Sequence, residues 1–315
     1  MILAQGDELV ARGHRVRMVT KGSPVTWRRS NAEWVHVSDL AEYDAGDDDF
    51  VMATFWLTVE PALRLAGEKA VHLCQGYEGA FSVYGTIQEQ IADIYRLPLP
   101  KLVVARSLID ILRPFSADVT WIGQIVEEEF YRSEPPSEHE PLRVILSGQA
   151  QADLKGIADG YGAVAHVRAQ GQQVTLVRVS PWLPAGHEPV QEADEYHAGL
   201  PTAEMTGLLH SCDVLLAPNH AAEGFGLPAA EAMASQIPCV LTAIPSYLSF
   251  DGTHDYALFA PERNPAALGE ALLRMIRHRA LRSRLRERGR EVAEQFRAAR
   301  VIDRMEAFFL TRRRM

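Results

Sequence analysis

Short apolar runs rich in Val, Leu and Ile recur along the chain and alternate with stretches of helical periodicity. Runs of this kind have the length of strands buried on both faces, which a parallel sheet between layers of crossover helices accommodates. In the first half they are "HRVRMVT" (14 to 20), "DFVMATFW" (49 to 56), "AVHLCQGY" (70 to 77), "KLVVARS" (101 to 107) and "DVTWIG" (118 to 123). In the second they are "RVILSG" (143 to 148), "VTLVRVS" (174 to 180), "DVLLAPN" (213 to 219), "PCVLTAI" (238 to 244) and "YALFA" (256 to 260). Between the two sets, "SEPPSEHEP" (133 to 141) is polar, carries three prolines and lacks large apolar residues, the composition of a linker between cores. At 315 residues there is material for both. The expected fold is α/β: a Rossmann-like doubly wound domain over 1–133, a linker at 134–141, a second such domain over 142–298, and a helix at 299–315 free to pack back on the first.

The helical tail is marked clearly. Asn264 and Pro265 form an N-cap followed by proline at the first helical position, with Leu268, Leu272, Met275 and Ile276 on one face. Leu281, Leu285, Val292 and Phe296 repeat the spacing, and Val301, Ile302, Met305, Phe308 and Phe309 do so again. The start is less regular. "ILAQGDELVARGHRVRMVT" reads as a helix ending at Gly13 and then a strand, without the strand and tight glycine turn that normally open a parallel domain. A strand in that place sits centrally, so its loss exposes sheet edges. The expectation is that the natural start lies upstream, or that the first domain is altered and less stable.

A net charge of -9 argues against a nucleic-acid binder working through a general basic surface. Cys74, Cys212 and Cys239 are too scattered for a disulfide framework and form no Cys-x-x-Cys zinc pair. With no run near the ~18 apolar residues of a membrane span and no secretory leader pattern, a cytoplasmic protein is expected. The arginines between Arg274 and Arg314 read mainly as solvated helix faces, which would also support weak peripheral attachment to an anionic membrane. Asp47, Asp48 and Asp49 could bind a divalent metal, but directly before a strand they read better as a solvated acidic turn.

The stretch "AAEGFGLPAAEAMASQ" (221 to 236) carries the most chemistry. Pro228 suits the first position of a helix over about 228 to 235. Glu231 then lies one turn in and leans toward the helix mouth, which Glu223 approaches from the preceding loop. The unpaired amides and dipole of the helix favour an anion, and Gly224 and Gly226 let backbone come close to it. Carboxylates repel phosphate, so their partners would be hydroxyls on either side of it, a pattern that describes a nucleotide sugar. From spacing alone, an ordinary strand-loop-helix unit with both glutamates in solvent explains the stretch equally well.

"EGFGLPAAEAMASQIPCVLT" resembles the donor-site signature of family 4 glycosyltransferases, including the two glutamates at that family's seven-residue interval. "CDVLLAPN" and "PERNPAALGEALLRMIRHRALRSRLRERG" extend the resemblance through the second half, and it thins toward the N-terminus. It implies a GT-B fold of two Rossmann-like domains facing a cleft. It also implies transfer of a sugar from a nucleoside diphosphate donor to an acceptor glycan, lipid or small molecule, with retained anomeric configuration, no cofactor and no metal. Under the resemblance Glu223 contacts the transferred sugar, the backbone of Gly224, Phe225, Gly226 and Leu227 meets the pyrophosphate or sugar, and Glu231 holds the ribose.

The family usually places an Arg just after the first strand of the second domain and a Lys shortly beyond it. "LSGQAQADLKG" offers the neutral Gln149 at the first position and Lys155, one residue displaced, near the second. Lys155 is therefore the candidate for stabilising the leaving diphosphate. In the first domain the family often has a His where this chain has Gln75 and Gly76. Gln75 cannot act as a base, so Gln75, Gly76 and Tyr77 are expected to position the acceptor. Two rival readings stand beside the transferase: a non-catalytic nucleotide-sugar-binding or partner subunit, and a nucleotide-sugar epimerase on the same architecture.

Overall fold

The computed structural model describes residues 2–313 apart from 24, 26, 27, 48, 185 and 187. The chain divides into two units, Met1–Ile125 with Phe296–Met315, and Val126–Gln295.

In unit 1, helix α1 (Ile2–Ala11) ends at Gly13, whose φ of 90° gives the left-handed turn that stops a helix. Strand β1 (Arg17–Thr20) then pairs in parallel with β2 (Glu33–His36). Next come β3 (Val51–Ala53), α2 (Trp56–Ala66), β4 (Ala70–Cys74), α3 (Gln88–Arg96), β5 (Lys101–Val103), α4 (Ser107–Leu112) and β6 (Val119–Trp121). The last four strands form a parallel sheet in sequence order, β3-β4-β5-β6. Among the described residues no ladder joins it to β1–β2, and the two pieces differ in burial. Every residue of β4 is buried, whereas all four of β1 stay partly exposed. The C-terminal helix, Ala298–Arg312, packs on α1. Arg12 reaches Asp303 at 2.7 Å and Glu306 at 2.8 Å, and His14 meets Glu306 at 2.8 Å.

Unit 2 contains β7 (Leu142–Ser147), α5 (Ile157–Ala169), β8 (Val174–Ser180), β9 (Glu195–Ala198), α6 (Thr202–His210) and β10 (Val214–Ala217). It continues with α7 (Leu227–Ala234), β11 (Cys239–Thr242), α8 (Pro245–Leu248), β12 (Leu258–Ala260), α9 (Pro265–Arg277) and α10 (Arg279–Ala293). All six strands are parallel, in the order β12-β11-β10-β7-β8-β9. The chain moves outward from β7 through β8 to β9, then returns to the other side of β7 at β10. The loops leaving the carboxyl ends of β7 and β10 therefore meet at the point where the strand order reverses, the position where open α/β sheets generally bind ligands. Val144, Leu146, Val164, Leu216, Val240 and Leu272, all at most 1% exposed, fill the core on one face of this sheet. Asn264 caps α9 as its sequence predicts, its side chain accepting the Ala267 amide at 3.0 Å.

The boundary between the units falls at 125/126, ahead of the proline-containing segment read as a linker, and 134–141 lies inside unit 2. Glu138 is gripped by Arg282 at 2.7 Å and Arg286 at 3.3 Å, which holds its carboxyl below the usual range. The fully buried Asp213 accepts the amides of His139 at 3.1 Å and Arg143 at 2.6 Å. Local composition reads as a solvated spacer because the partners that order it lie far along the chain. No helix among the described residues is long and apolar enough to cross a membrane.

Replacing Asp213 by Ala strips two backbone amides of their acceptor. Unit 2 is expected to lose about 1–3 kcal/mol of stability, read as a lower urea midpoint at unchanged m-value.

Candidate functional site

Strands β7 and β10 are hydrogen-bonded neighbours, Val144 opposite Val214 and Leu146 opposite Leu216, so the loops that follow them leave the same edge of the sheet. The β7 loop passes through Gly148 and Gln149, makes a turn over Asp153–Lys155, and enters α5 at Gly156 with φ 58°. The β10 loop carries Asn219, His220 and Glu223 and enters α7 at Gly226 with φ 85°. Both glycines are required twice over. A Cβ at 156 would lie 2.0 Å from the Pro218 carbonyl oxygen, and one at 226 would lie 2.1 Å from the Tyr247 ring. The two loops are therefore in direct contact.

This contact assembles the polar group. Lys155 Nζ and Asn219 Nδ2 each donate to Glu223 Oε2 at 2.6 Å, and the Gly226 amide donates to Oε1 at 3.2 Å. An ionised carboxylate has about four lone-pair sites, so a fixed Glu223 still has room for a hydroxyl donor. An ammonium group carries three N–H bonds, so Lys155 can meet an anion without releasing Glu223. With side-chain exposures of 11% and 27%, the pair is shielded yet reachable.

Glu231, on α7, is the counterpart in a different environment. No donor among the described residues reaches its carboxyl, and burial, followed by the charge of Glu127, pushes it up to about 7. Of the other expected donor residues, Phe225 turns its ring into the core against Phe250, 5.1 Å between centroids. Gln149 follows Gly148, where a Cβ would lie 3.2 Å from that of Lys155, so the backbone just before Gln149 packs on Lys155.

The three acceptor-side candidates belong to unit 1, at the carboxyl end of β4. Gln75 Nε2 donates to the Thr54 carbonyl at 3.0 Å, Gly76 is buried, and the Tyr77 ring packs on Tyr95 and Phe115. In the acidic turn Asp49 pairs with Arg17 and Asp48 lies outside the described residues; among the described residues there is no group of three or more His, Cys, Asp or Glu that could hold a metal. A cavity of about 440 Å³ lined by Pro141, Arg168, Gln173 and Asp194 lies at the amino ends of β7 and β8, the opposite edge from Glu223. Sequence reasoning missed Asn219, although its amide four residues before Glu223 was a readable signal.

Residues 185–292 match the family described as glycosyl transferases group 1. The chain is 30% identical over 184 residues to an MMP alpha-(1->4)-mannosyltransferase of Mycolicibacterium hassiacum, an alignment of 54% of this chain and 43% of that protein. It spans less than half the length of the curated relatives it matches. Among solved structures, sucrose-phosphate synthase from Thermosynechococcus elongatus superposes with a TM-score of 0.73 at 17% identity, covering 98% of this chain and 91% of the other. S. aureus TarM, solved with fondaparinux, alpha-GlcNAc-glycerol and UDP, gives a TM-score of 0.64 at 14% identity over 82% of this chain and 55% of its own.

A raised carboxyl favours folding while it is protonated and loses that contribution as pH climbs toward its folded value. Glu231→Gln, which cannot ionise, is accordingly expected to raise Tm at pH 8, with a gain that shrinks as pH falls below about 7 and is lost near the ordinary carboxyl range. Differential scanning calorimetry across that range checks this.

Proposed function

On the premise that the chain carries the group 1 glycosyl transferase domain on a GT-B fold, we propose that it transfers a sugar from a nucleoside diphosphate donor to an acceptor. The observation that supports this reading most is the joint placement of Lys155, Asn219 and Glu223 at the β7/β10 reversal, with Glu231 on the helix that follows.

When the bond between the sugar and the diphosphate breaks, negative charge grows on the leaving phosphate oxygen. Lys155 is assigned to meet it, aided by the amides at the start of α7. Glu223, held by its three donors, accepts a hydroxyl of the transferred sugar and fixes its orientation. Glu231 accepts from the ribose, a task suited to a carboxyl that no donor among the described residues holds. The acceptor oxygen forms the new bond to the anomeric carbon, and its proton passes to the departing phosphate on the same face, so configuration is retained. Charge neutralisation by Lys155 assigns this step no metal, and no cofactor enters it. The acceptor, a glycan, lipid or small molecule, is assigned to unit 1 with Gln75, Gly76 and Tyr77.

The neutral Gln149 supports one rival, a nucleotide-sugar binder that performs no transfer. Incubating the full chain with a panel of nucleotide sugars and acceptors, with mass spectrometry of the products, separates the two readings. Binding without any product, or sugar isomerisation without an acceptor, would overturn the transferase.

For the active enzyme, Lys155→Ala and Glu223→Ala are expected to lower kcat by about 10²–10³-fold. Glu231→Ala should act mainly on the KM for the donor. Steady-state kinetics showing wild-type turnover in all three would remove the site assignment.

A further inference from the structure

His220 has no part in the chemistry assigned above, yet its side chain is only 8% exposed and lies between the two loops that carry Lys155 and Glu223. Its amide donates to the Leu154 carbonyl at 2.8 Å, one residue before Lys155. Its own carbonyl accepts the Glu223 amide at 2.9 Å. Its ring Nε2 is 2.9 Å from Asp159 Oδ2, in the first turn of α5. Ring Nδ1 lies 3.5 Å from Asp153 Oδ2, which Arg263 holds from the other side at 2.8 Å. The ring also stands over Gly156, where a Cβ would come within 3.1 Å of Nε2.

These contacts have one geometric consequence. The Lys155 turn is tied to the Glu223 turn through backbone on one side of His220 and through imidazole on the other. Beyond the loop, Glu262 accepts the Ala221 amide at 2.8 Å and secures the next residue. Lysine is a long side chain with rotatable bonds, so a 2.6 Å contact at Glu223 persists only where both backbones are held. We infer that His220 is a positioning residue, clamping the Lys155 turn to the Glu223 turn and so setting the separation of those two groups. This rests on the assignment of Lys155 and Glu223 to sugar transfer.

The clamp differs from plain structural support in what its removal changes. Support alone lowers the fraction of folded protein, whereas a clamp alters turnover per folded molecule, since a displacement of about 1 Å at reacting groups can cost about 10²-fold. Asp159 and His220 act through one contact, so removing both should cost little more than removing either.

The test compares His220→Ala, His220→Gln, Asp159→Ala and the double alanine variant in the full chain, with two measurements on each. The first is donor turnover normalised to folded protein. His220→Ala is expected to lower kcat by up to about a hundredfold while KM for the donor changes far less. His220→Gln, which keeps an N–H near the position of Nε2, should recover most of the loss. The second is the ¹⁵N NMR signal of the Lys155 ammonium, assigned by its disappearance in Lys155→Arg. Glu223→Gln should shift this signal, and His220→Ala should shift it in the same direction without a nucleotide present.

An ammonium signal unchanged in both His220→Ala and His220→Gln would overturn the clamp whatever the turnover. Unchanged kcat per folded molecule with active wild type would overturn it as well. If wild type transfers no sugar but the signal still moves with His220, the transferase reading fails and the clamp stands.

Discussion

The site of unit 2 depends on two loops meeting at a distance that only glycine permits. Pairing of β7 with β10 sends both loops off one edge of the sheet, and Gly156 lets the first settle against the Pro218 carbonyl of the second. Any side chain at 156 would separate the loops, and Lys155 and Glu223 would part with them. The left-handed φ at Gly226 makes a second close approach, to the Tyr247 ring, and brings its amide onto Glu223. Backbone geometry thus precedes electrostatics here: the ion pair is a result of where the loops can go.

Buried charge reinforces that geometry from below. Arg178 has no exposed side-chain surface; it pairs with Glu188 at 2.7 Å and donates to the Gly148 carbonyl at 2.7 Å. A buried pair of this kind is costly to break from one side, because the survivor is left uncompensated. Its location explains its use, since Gly148 opens the turn toward Gln149 and Lys155. Glu231 shows the opposite design. No donor among the described residues holds it, and burial pushes its carboxyl up to about 7.

Much of this was legible in the sequence. Each apolar run coincides with a strand of the structure, β7 starting one residue early at Leu142, and the helix after Glu223 begins at Leu227, beside the proline that predicted it. The two strands that escaped, "EWVH" and "EYHA", lie at sheet edges, where one side faces other environments and no continuous apolar run is needed. At the start of the chain, β1 and β2 form a sheet of their own among the described residues. The linker was misread because the order of Glu138 and His139 comes from Arg282 and Asp213, invisible to local composition. The contrast between a Glu223 held by three donors and a Glu231 that no donor among the described residues reaches required coordinates. So did Asn219 and His220, whose roles come from contacts between loops.

The most direct measurement of the central claim is a crystal structure of the full chain with a nucleoside diphosphate. The account predicts phosphate oxygens within hydrogen-bond reach of Lys155 Nζ and ribose hydroxyls on the Glu231 carboxylate, with Glu223 still held by Asn219. A nucleotide bound at the other edge of the sheet, beside Arg168 and Gln173, or with its ribose away from Glu231, would contradict it.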